Sequence, residues 1–279
     1  MTPKVSFISA FHDGLAHSQR MLAGFDETVT LPDYEFLWVN DESTDGSDAW
    51  VEKLSGPHRL LSNSQSRGFA GANNTAANVA KGEWLVFLNN DLLFFQPWLE
   101  PMLSPLSDPD VGAVGNVQFN PATGLIDHAG MFFDKGGIPR QARKHTLRIP
   151  EGEYSEWNCL SAACLAMRKE LFLEMGGFDE GYRTGWEDAD LCVRLRQKGK
   201  RLLLANQSHV RHVGGASLGS HQQDEANRSR FLSKWQPVTR QWAQSEWPRE
   251  YLLRYSRQWW RLSPLKAIEA LWLLPRCRE

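Results

Sequence analysis

Paired cysteines are missing from this 279-residue chain. Cys159, Cys164, Cys192 and Cys277 form no CxxC spacing, which argues against a zinc knuckle or a thioredoxin-type redox motif. Free, buried thiols in a reducing cytosol are expected instead. Net charge is nearly missing too: 31 Lys and Arg oppose 33 Asp and Glu, for a formal charge of -2. Such a balance exerts no general pull on nucleic acid, so no nucleic-acid partner is expected. No run of about 18 apolar residues occurs, which argues against a spanning helix. Met1 to Lys4 lead straight into an apolar run without a basic segment before it. No secretory leader is therefore expected, and the chain reads as cytoplasmic. Two phosphate-binding fingerprints are also lacking. Neither the P-loop spacing nor Gly-x-Gly-x-x-Gly after the first apolar run is present. Their absence weighs against nucleoside triphosphate hydrolysis and dinucleotide oxidoreduction.

What is present is alternation. Apolar runs at 5–10, 36–39, 84–88, 111–119 and 201–205 read as strands. Helical spacing falls at 14–29, from Ser47, at 69–80, 168–175 and 187–198, and Pro97 is placed to open another helix at its first turn. Residues 120–160 read as an irregular or β-rich insertion. From about Gln222 the chain turns helical and Trp-rich, with a break expected at Pro248. The pattern predicts an α/β fold: a Rossmann-like, mostly parallel central sheet with helices on both faces, plus a C-terminal helical extension. Ligands of such sheets bind beyond the carboxyl ends of the strands. That places the Asn40-Asp41 loop and the Asn89-Asn90-Asp91 loop on one crevice.

Three segments carry candidate chemistry. Asp91 ends an apolar strand, where a carboxylate either caps the next turn or reaches a hard cation bridging phosphates. Glu187, Asp188 and Asp190 crowd one helix start, more acid than a cap needs. Asp188 is favoured as a general base for a hydroxyl group, and Asp190 as the i,i+4 partner of Arg194. His212 sits before Gly214 and Gly215 and is a candidate metal ligand, with His209 competing for that role. The 63–74 segment joins a Gly-containing loop to a helix start, where amides and the Arg67 guanidinium suit phosphate.

Taken in order, these segments resemble the inverting glycosyltransferase family 2 with the GT-A fold. More narrowly they resemble its bacterial O-antigen and cell-surface polysaccharide branch, which includes rhamnosyl- and galactofuranosyltransferases. The matching residues are Val39-Asn-Asp-Glu-Ser-Thr-Asp-Gly-Ser47, Asn63 with Arg67-Gly-Phe-Ala-Gly71 and Asn74, Leu88-Asn-Asn-Asp91, Gly176-Gly-Phe-Asp-Glu180, Trp186-Glu-Asp-Ala-Asp-Leu191, and His212 with Gly215 and Ser217. The resemblance implies that Asp41 reads a pyrimidine ring N–H beside Ser9, Ala10 and Phe11. It implies donor contacts for Arg67, Gly71, Asn90, Trp186 and Glu187, metal ligation of Mn2+ or Mg2+ by Asp91 and His212, and Asp188 as the base. Many members carry a second carboxylate near Asp91; Asn89 and Asn90 stand there in this chain, which shifts load onto His212.

On this reading residues 1–220 are the catalytic domain, with a nucleotide half at about 1–118 and an acceptor half at about 119–220. Residues 221–279 are the Trp- and Arg-rich extension. A UDP- or dTDP-sugar donor and a glycan or lipid-linked acceptor are the expected partners. His128, Trp157 and Trp186 are candidates for sugar contact, with core packing as the alternative for both Trp residues. The extension suggests peripheral contact with the inner face of a cytoplasmic membrane, and a homodimer is a further expectation. A non-catalytic sugar-nucleotide or glycan-binding module of the same fold is the competing reading. A sugar-phosphate nucleotidyltransferase is disfavoured because no Gly-rich loop follows Ala10.

Overall fold

A computed structural model describes residues 3–182, 184–214, 221–255 and 262–274. Short β-branched and aromatic runs, stopped by Asn, Asp and Gly, build its main sheet. β1 (Val5–Phe11), β2 (Tyr34–Asn40), β3 (His58–Ser62) and β4 (Trp84–Leu88) are linked by α1 (Leu15–Thr28), α2 (Ser47–Val51) and α3 (Gly68–Val79). These strands are parallel, in the order β3-β2-β1-β4. The order reverses at β1, so the crevice beyond β1 and β4 is the switch point where ligands of such sheets bind.

The next stretch supplies β5 (Leu92–Leu93), α4 (Glu100–Leu103), β6 (Val111–Phe119), β7 (Ile126–His128), β8 (Met131–Phe133), β9 (Pro139–Gln141), β10 (Tyr154–Glu156) and β11 (Cys164–Arg168). α5 (Lys169–Glu174), α6 (Glu187–Gln197), β12 (Arg201–His212), α7 (His221–Tyr255) and α8 (Pro264–Leu273) follow. β11 inserts antiparallel between β4 and β6, while β6 and β12 run parallel. The sheet is thus mostly parallel, with two parallel blocks joined through one reversed strand. β5 pairs antiparallel with the end of β12, His212 opposite Leu92, which brings the histidine beside the Asp91 turn.

Each face of the sheet carries its own core. Phe7, Phe25, Phe36, Trp38 and Trp98 fill one face, under α1 and α4. Phe87, Phe172, Phe178 and Tyr182 fill the other, under α3, α5 and α6. Phe231, Ala243, Trp247, Tyr251 and Ala270 of the C-terminal helices join that second core.

Three boundaries differ from the sequence reading, one of them the strand read at 201–205, which runs on to His212 as β12. The helix expected from Pro97 begins at Glu100. The segment before it packs Phe94 and Trp98 as a stacked pair, centroids 4.5 Å apart, and this burial holds the chain out of helix. The break expected at Pro248 does not occur, since α7 runs through both Pro237 and Pro248. Each proline removes one backbone hydrogen bond and crowds the preceding turn. Burial of Phe231, Ala243, Trp247 and Tyr251 along the same helix offsets that cost.

Candidate active site

The polar cluster after β2 does structural work before any chemistry. Asp41 is 4% exposed, and each of its oxygens accepts two hydrogen bonds. Oδ1 takes Asn63 Nδ2 at 2.7 Å and the Arg67 amide at 2.9 Å; Oδ2 takes the Ser66 hydroxyl at 2.8 Å and the Gly68 amide at 2.9 Å. Two of those donors lie at the start of α3, so Asp41 satisfies amides the helix leaves unpaired. Asp45 Oδ2 accepts the Leu15 amide at 2.7 Å, and Oδ1 the Ser47 amide at 3.1 Å, so one acid serves the starts of α1 and α2. Hydrogen bonds from Ser47 and from the Leu15 and Gly14 amides hold the Asp45 carboxyl below its usual range, against the opposing effect of its slight burial.

β1 delivers its three candidate residues unequally. Ser9 and Phe11 are buried, and Phe11 packs edge-on to Trp38 at 6.2 Å. Ala10 alone of the three is partly exposed, and it faces the α3 side. The structure therefore offers no Phe11 ring to a base.

Arg67 is turned onto Glu180, with Nη2 2.7 Å from both carboxylate oxygens, and its Nη1 donates to Thr75 at 2.9 Å. Asn74 clasps the Phe178 backbone, giving and taking one bond of 2.9 Å each. Gly71 admits this arrangement, since a Cβ there would sit 2.5 Å from Arg67 Cβ. Gly177 does the same at φ +73°, where a Cβ would meet Asn74 Oδ1 at 2.5 Å. The Arg67-Gly71-Asn74 and Gly176–Glu180 motifs are thus two halves of one clamp between α3 and the turn after α5. Phosphate contact by Arg67 would require it to leave Glu180.

The Asp91 turn and the end of β12 form the acid–histidine pair. Asp91 is 4% exposed, and its Oδ2 accepts the Gly214 amide at 2.9 Å. Oδ1 has no donor aligned on it and faces His212 Nε2 at 3.1 Å. Burial works against the Asp91 charge, yet His212 and the Gly214 amide outweigh it and hold the carboxyl below its usual range. Asn89 Nδ2 lies 3.2 Å from the same His212 nitrogen, whose role as donor or acceptor follows the tautomer. The Asp91 oxygen and the His212 nitrogen are 3.1 Å apart, so with that nitrogen unprotonated both can reach one cation. A carboxylate oxygen and a neutral imidazole suit Mn2+ or Mg2+, with the other positions left to phosphate and water. Among the described residues no third His, Cys, Asp or Glu joins them. His209 is engaged elsewhere, 2.8 Å from the Asn206 carbonyl. Asn90 spans to Ser18 Oγ at 3.2 Å, tying the turn to α1. Gly215 and Ser217 lie outside the described residues.

Asp188 enters from α6. Its Oδ1 accepts the Ala189 amide at 2.7 Å and its Oδ2 the Ala162 amide at 3.3 Å. The neighbouring Ala163 carbonyl accepts the Asn89 amide at 2.8 Å, so residues 162–163 bridge the base candidate and the Asp91 turn. Gly185 and Trp186 both lie in the left-handed region, at φ 86° and 79°. That conformation is costly for Trp186 and aims the acids of α6 inward. The Trp186 indole donates to Asp224 at 2.7 Å and packs on Phe231. Asp190 is fully buried and paired with Arg194 at 2.8 Å, and it accepts Trp235 Nε1 at 2.7 Å from α7.

Burial raises the Asp188 carboxyl. It also raises Glu187, to about 8, with the Asp188 charge as second cause. Glu187 Oε2 has no partner. At neutral pH Glu187 is therefore mostly protonated. A raised folded-state value means the stability contribution is complete below about 4.5 and fades as pH climbs toward 8. Glu187→Gln is accordingly expected to gain stability over wild type as pH rises from 5 to 8, on the order of 1–3 kcal/mol. Denaturant melts across that range check this; a constant difference would contradict the buried-acid assignment.

His128 and Trp157 belong to the interior. His128 is 2% exposed, burial pushes it down to about 4, and its Nδ1 lies 2.7 Å from Gln141 Oε1. Trp157 is 7% exposed and donates to Ser155 Oγ at 2.9 Å. Spacing gave no sign of Asn89, Ala162 or Glu180 as partners of the site residues, because all three meet them across more than 20 positions of chain.

Comparison with solved proteins bears on this geometry. The fold matches that of GalNAc-T7, solved with UDP, GalNAc and Mn2+, at a TM-score of 0.70 and 18% identity, over 88% of this chain and 51% of that one. The fold is GT-A. Fold and family signature together define a family 2 domain of GT-A architecture. The family model for glycosyl transferase family 2 matches residues 16–176, and the chain belongs to that family. It is 32% identical over 236 residues to the O-antigen biosynthesis protein RfbC of Myxococcus xanthus, across 77% of this chain and 18% of that protein. It is 26% identical over 245 residues to an N-acetylglucosaminyl-diphospho-decaprenol L-rhamnosyltransferase of Mycobacterium tuberculosis, covering 78% of this chain and 79% of that enzyme. The chain thus spans under a fifth of the RfbC relative.

Proposed function

We propose that this chain moves a sugar from a UDP- or dTDP-sugar to a glycan or lipid-linked glycan of a bacterial cell-surface polysaccharide, with inversion at the anomeric carbon. The observation that carries the reading is the bridge at Ala162-Ala163, which joins a partly exposed, burial-raised Asp188 to the Asp91–His212 pair. The likeness to the RfbC and rhamnosyltransferase relatives supports the polysaccharide setting.

Asp188 accepts the proton of the acceptor hydroxyl. The freed oxygen attacks the anomeric carbon, and the bond to the nucleoside diphosphate breaks on the opposite side. One displacement with one base inverts the centre. A divalent cation held by Asp91 and His212 would offset charge on the leaving diphosphate. The Asp188 carboxylate is held in place by the Ala162 and Ala189 amides, so little reorganisation accompanies proton transfer. Asp41 takes the base ring N–H at Oδ2 once the Ser66 hydroxyl rotates away, since that hydroxyl is the one freely rotating donor among its four partners and the Gly68 amide stays in place.

A thermal-shift screen of UDP-, dTDP- and GDP-sugars with Mn2+ tests the donor. Saturation with the right donor is expected to raise Tm by about 5 °C or more. EDTA is expected to remove both that shift and sugar transfer, and Mn2+ or Mg2+ to restore them. Turnover unchanged in EDTA would refute the metal assignment; no shift with any nucleotide sugar would refute the donor.

A further inference from the structure

α8 covers the second core with one side and leaves an apolar stripe on the other. Ala270 is fully buried, whereas Leu265 is 80% exposed, Ile268 65%, Leu271 59% and Trp272 61%. At 100° per residue these four positions fall within about 120° of one another, opposite Ala270. Isolated exposed apolar residues are ordinary; four on one face of a single helix are not.

The charge around this stripe is one-sided. From residue 254 to the end the sequence carries Arg254, Arg257, Arg261, Lys266, Arg276 and Arg278 against Glu269 and Glu279. Glu269 is already paired with Lys135. Lys266 is exposed on the same helix. Among the described residues no helix is long and apolar enough to cross a bilayer. An apolar face with Trp, flanked by excess positive charge and too short to span, fits the boundary of an anionic membrane.

We propose that α8 docks the protein on an anionic lipid surface through Leu265, Ile268, Leu271 and Trp272. The apolar side chains enter the headgroup boundary, and the basic residues of the tail meet the lipid charge. This goes beyond the transfer reaction and stands whether or not the donor assignment holds.

The test uses the full chain and sedimentation with phosphatidylcholine vesicles, with and without phosphatidylglycerol. Wild type is expected to bind the anionic vesicles at least tenfold better than the neutral ones, with the difference shrinking in high salt. Leu265→Asp, Ile268→Asp and Trp272→Asp combined are expected to lower anionic-vesicle binding at least tenfold. Circular dichroism and transfer to a soluble acceptor should stay unchanged in that variant. If the triple variant loses helix, Ile268→Gln with Trp272→Gln carries the same comparison. Equal vesicle binding by wild type and variant overturns the proposal. So does a wild-type dimer that the substitutions convert to monomer without any vesicle binding, since a second copy then covers the face. Loss of transfer in vesicle-free assays of wild type would count against the reaction and leave this result intact.

Discussion

Asp188→Asn is expected to lower sugar transfer by about 10²–10⁴-fold while leaving donor binding near its wild-type value. The amide keeps the shape of the carboxylate, and its one oxygen can still accept the shorter bond, from the Ala189 amide, while the longer bond from Ala162 is lost. What disappears is the atom that takes the proton. A loss confined to kcat, with donor affinity measured by thermal shift unchanged, is the pattern of a base. The pH profile adds an independent check. Burial raises Asp188, so the acid limb of wild-type activity should lie above the ordinary carboxylate range, with rate falling as pH drops through that value. Transfer by the Asn variant at near wild-type rate would remove Asp188 from the mechanism.

The second large effect is expected at the acid–histidine pair. Asp91→Asn and His212→Ala should each weaken Mn2+-dependent donor binding by on the order of 10²-fold or more, since each removes one of two protein ligands. The double variant should lose little beyond either single one, because a bidentate site fails when one arm goes. Binding of the nucleoside without its diphosphate should survive, as Asp41 and its loop are untouched. Additive losses, or an equal loss of nucleoside binding, would mean that the pair supports the fold instead. Asp91→Asn also tests the structural share of this residue: the Gly214 amide still has an oxygen acceptor in that variant, so folding should hold.

Much of this site is legible in order and spacing. Asp91 follows a strand end and three acids open α6, at element boundaries that hydrophobic periodicity locates, whereas the strand read at 201–205 continues to His212. The carboxyl edge of a parallel sheet then assigns them to one crevice. Arg194 beside Asp190 follows from helical spacing alone. The partners across the fold are not legible in this way. Asn89 reads only as a missing carboxylate, yet its amide lies on His212. Arg67 reads as a phosphate ligand, yet it is committed to Glu180, 113 positions away. β11 escapes notice because a five-residue apolar run carries no information on direction, and only its place between β4 and β6 makes it antiparallel.

The sequence by itself determined the family, the alternation of strand and helix, and which acids and which histidine are the site candidates. Those features are written in local patterns: period, turn chemistry and residue type. Only the tertiary structure decided that α7 continues through Pro248, that Ser9 and Phe11 are buried, and that burial raises the Glu187 carboxyl to about 8. It also decided that Asp91 Oδ1 and His212 Nε2 meet at 3.1 Å. Each of these depends on burial and on contacts between distant segments. A proline's cost, a ring's exposure and a carboxyl's charge are set by what packs against them, and that is fixed by no single stretch of chain.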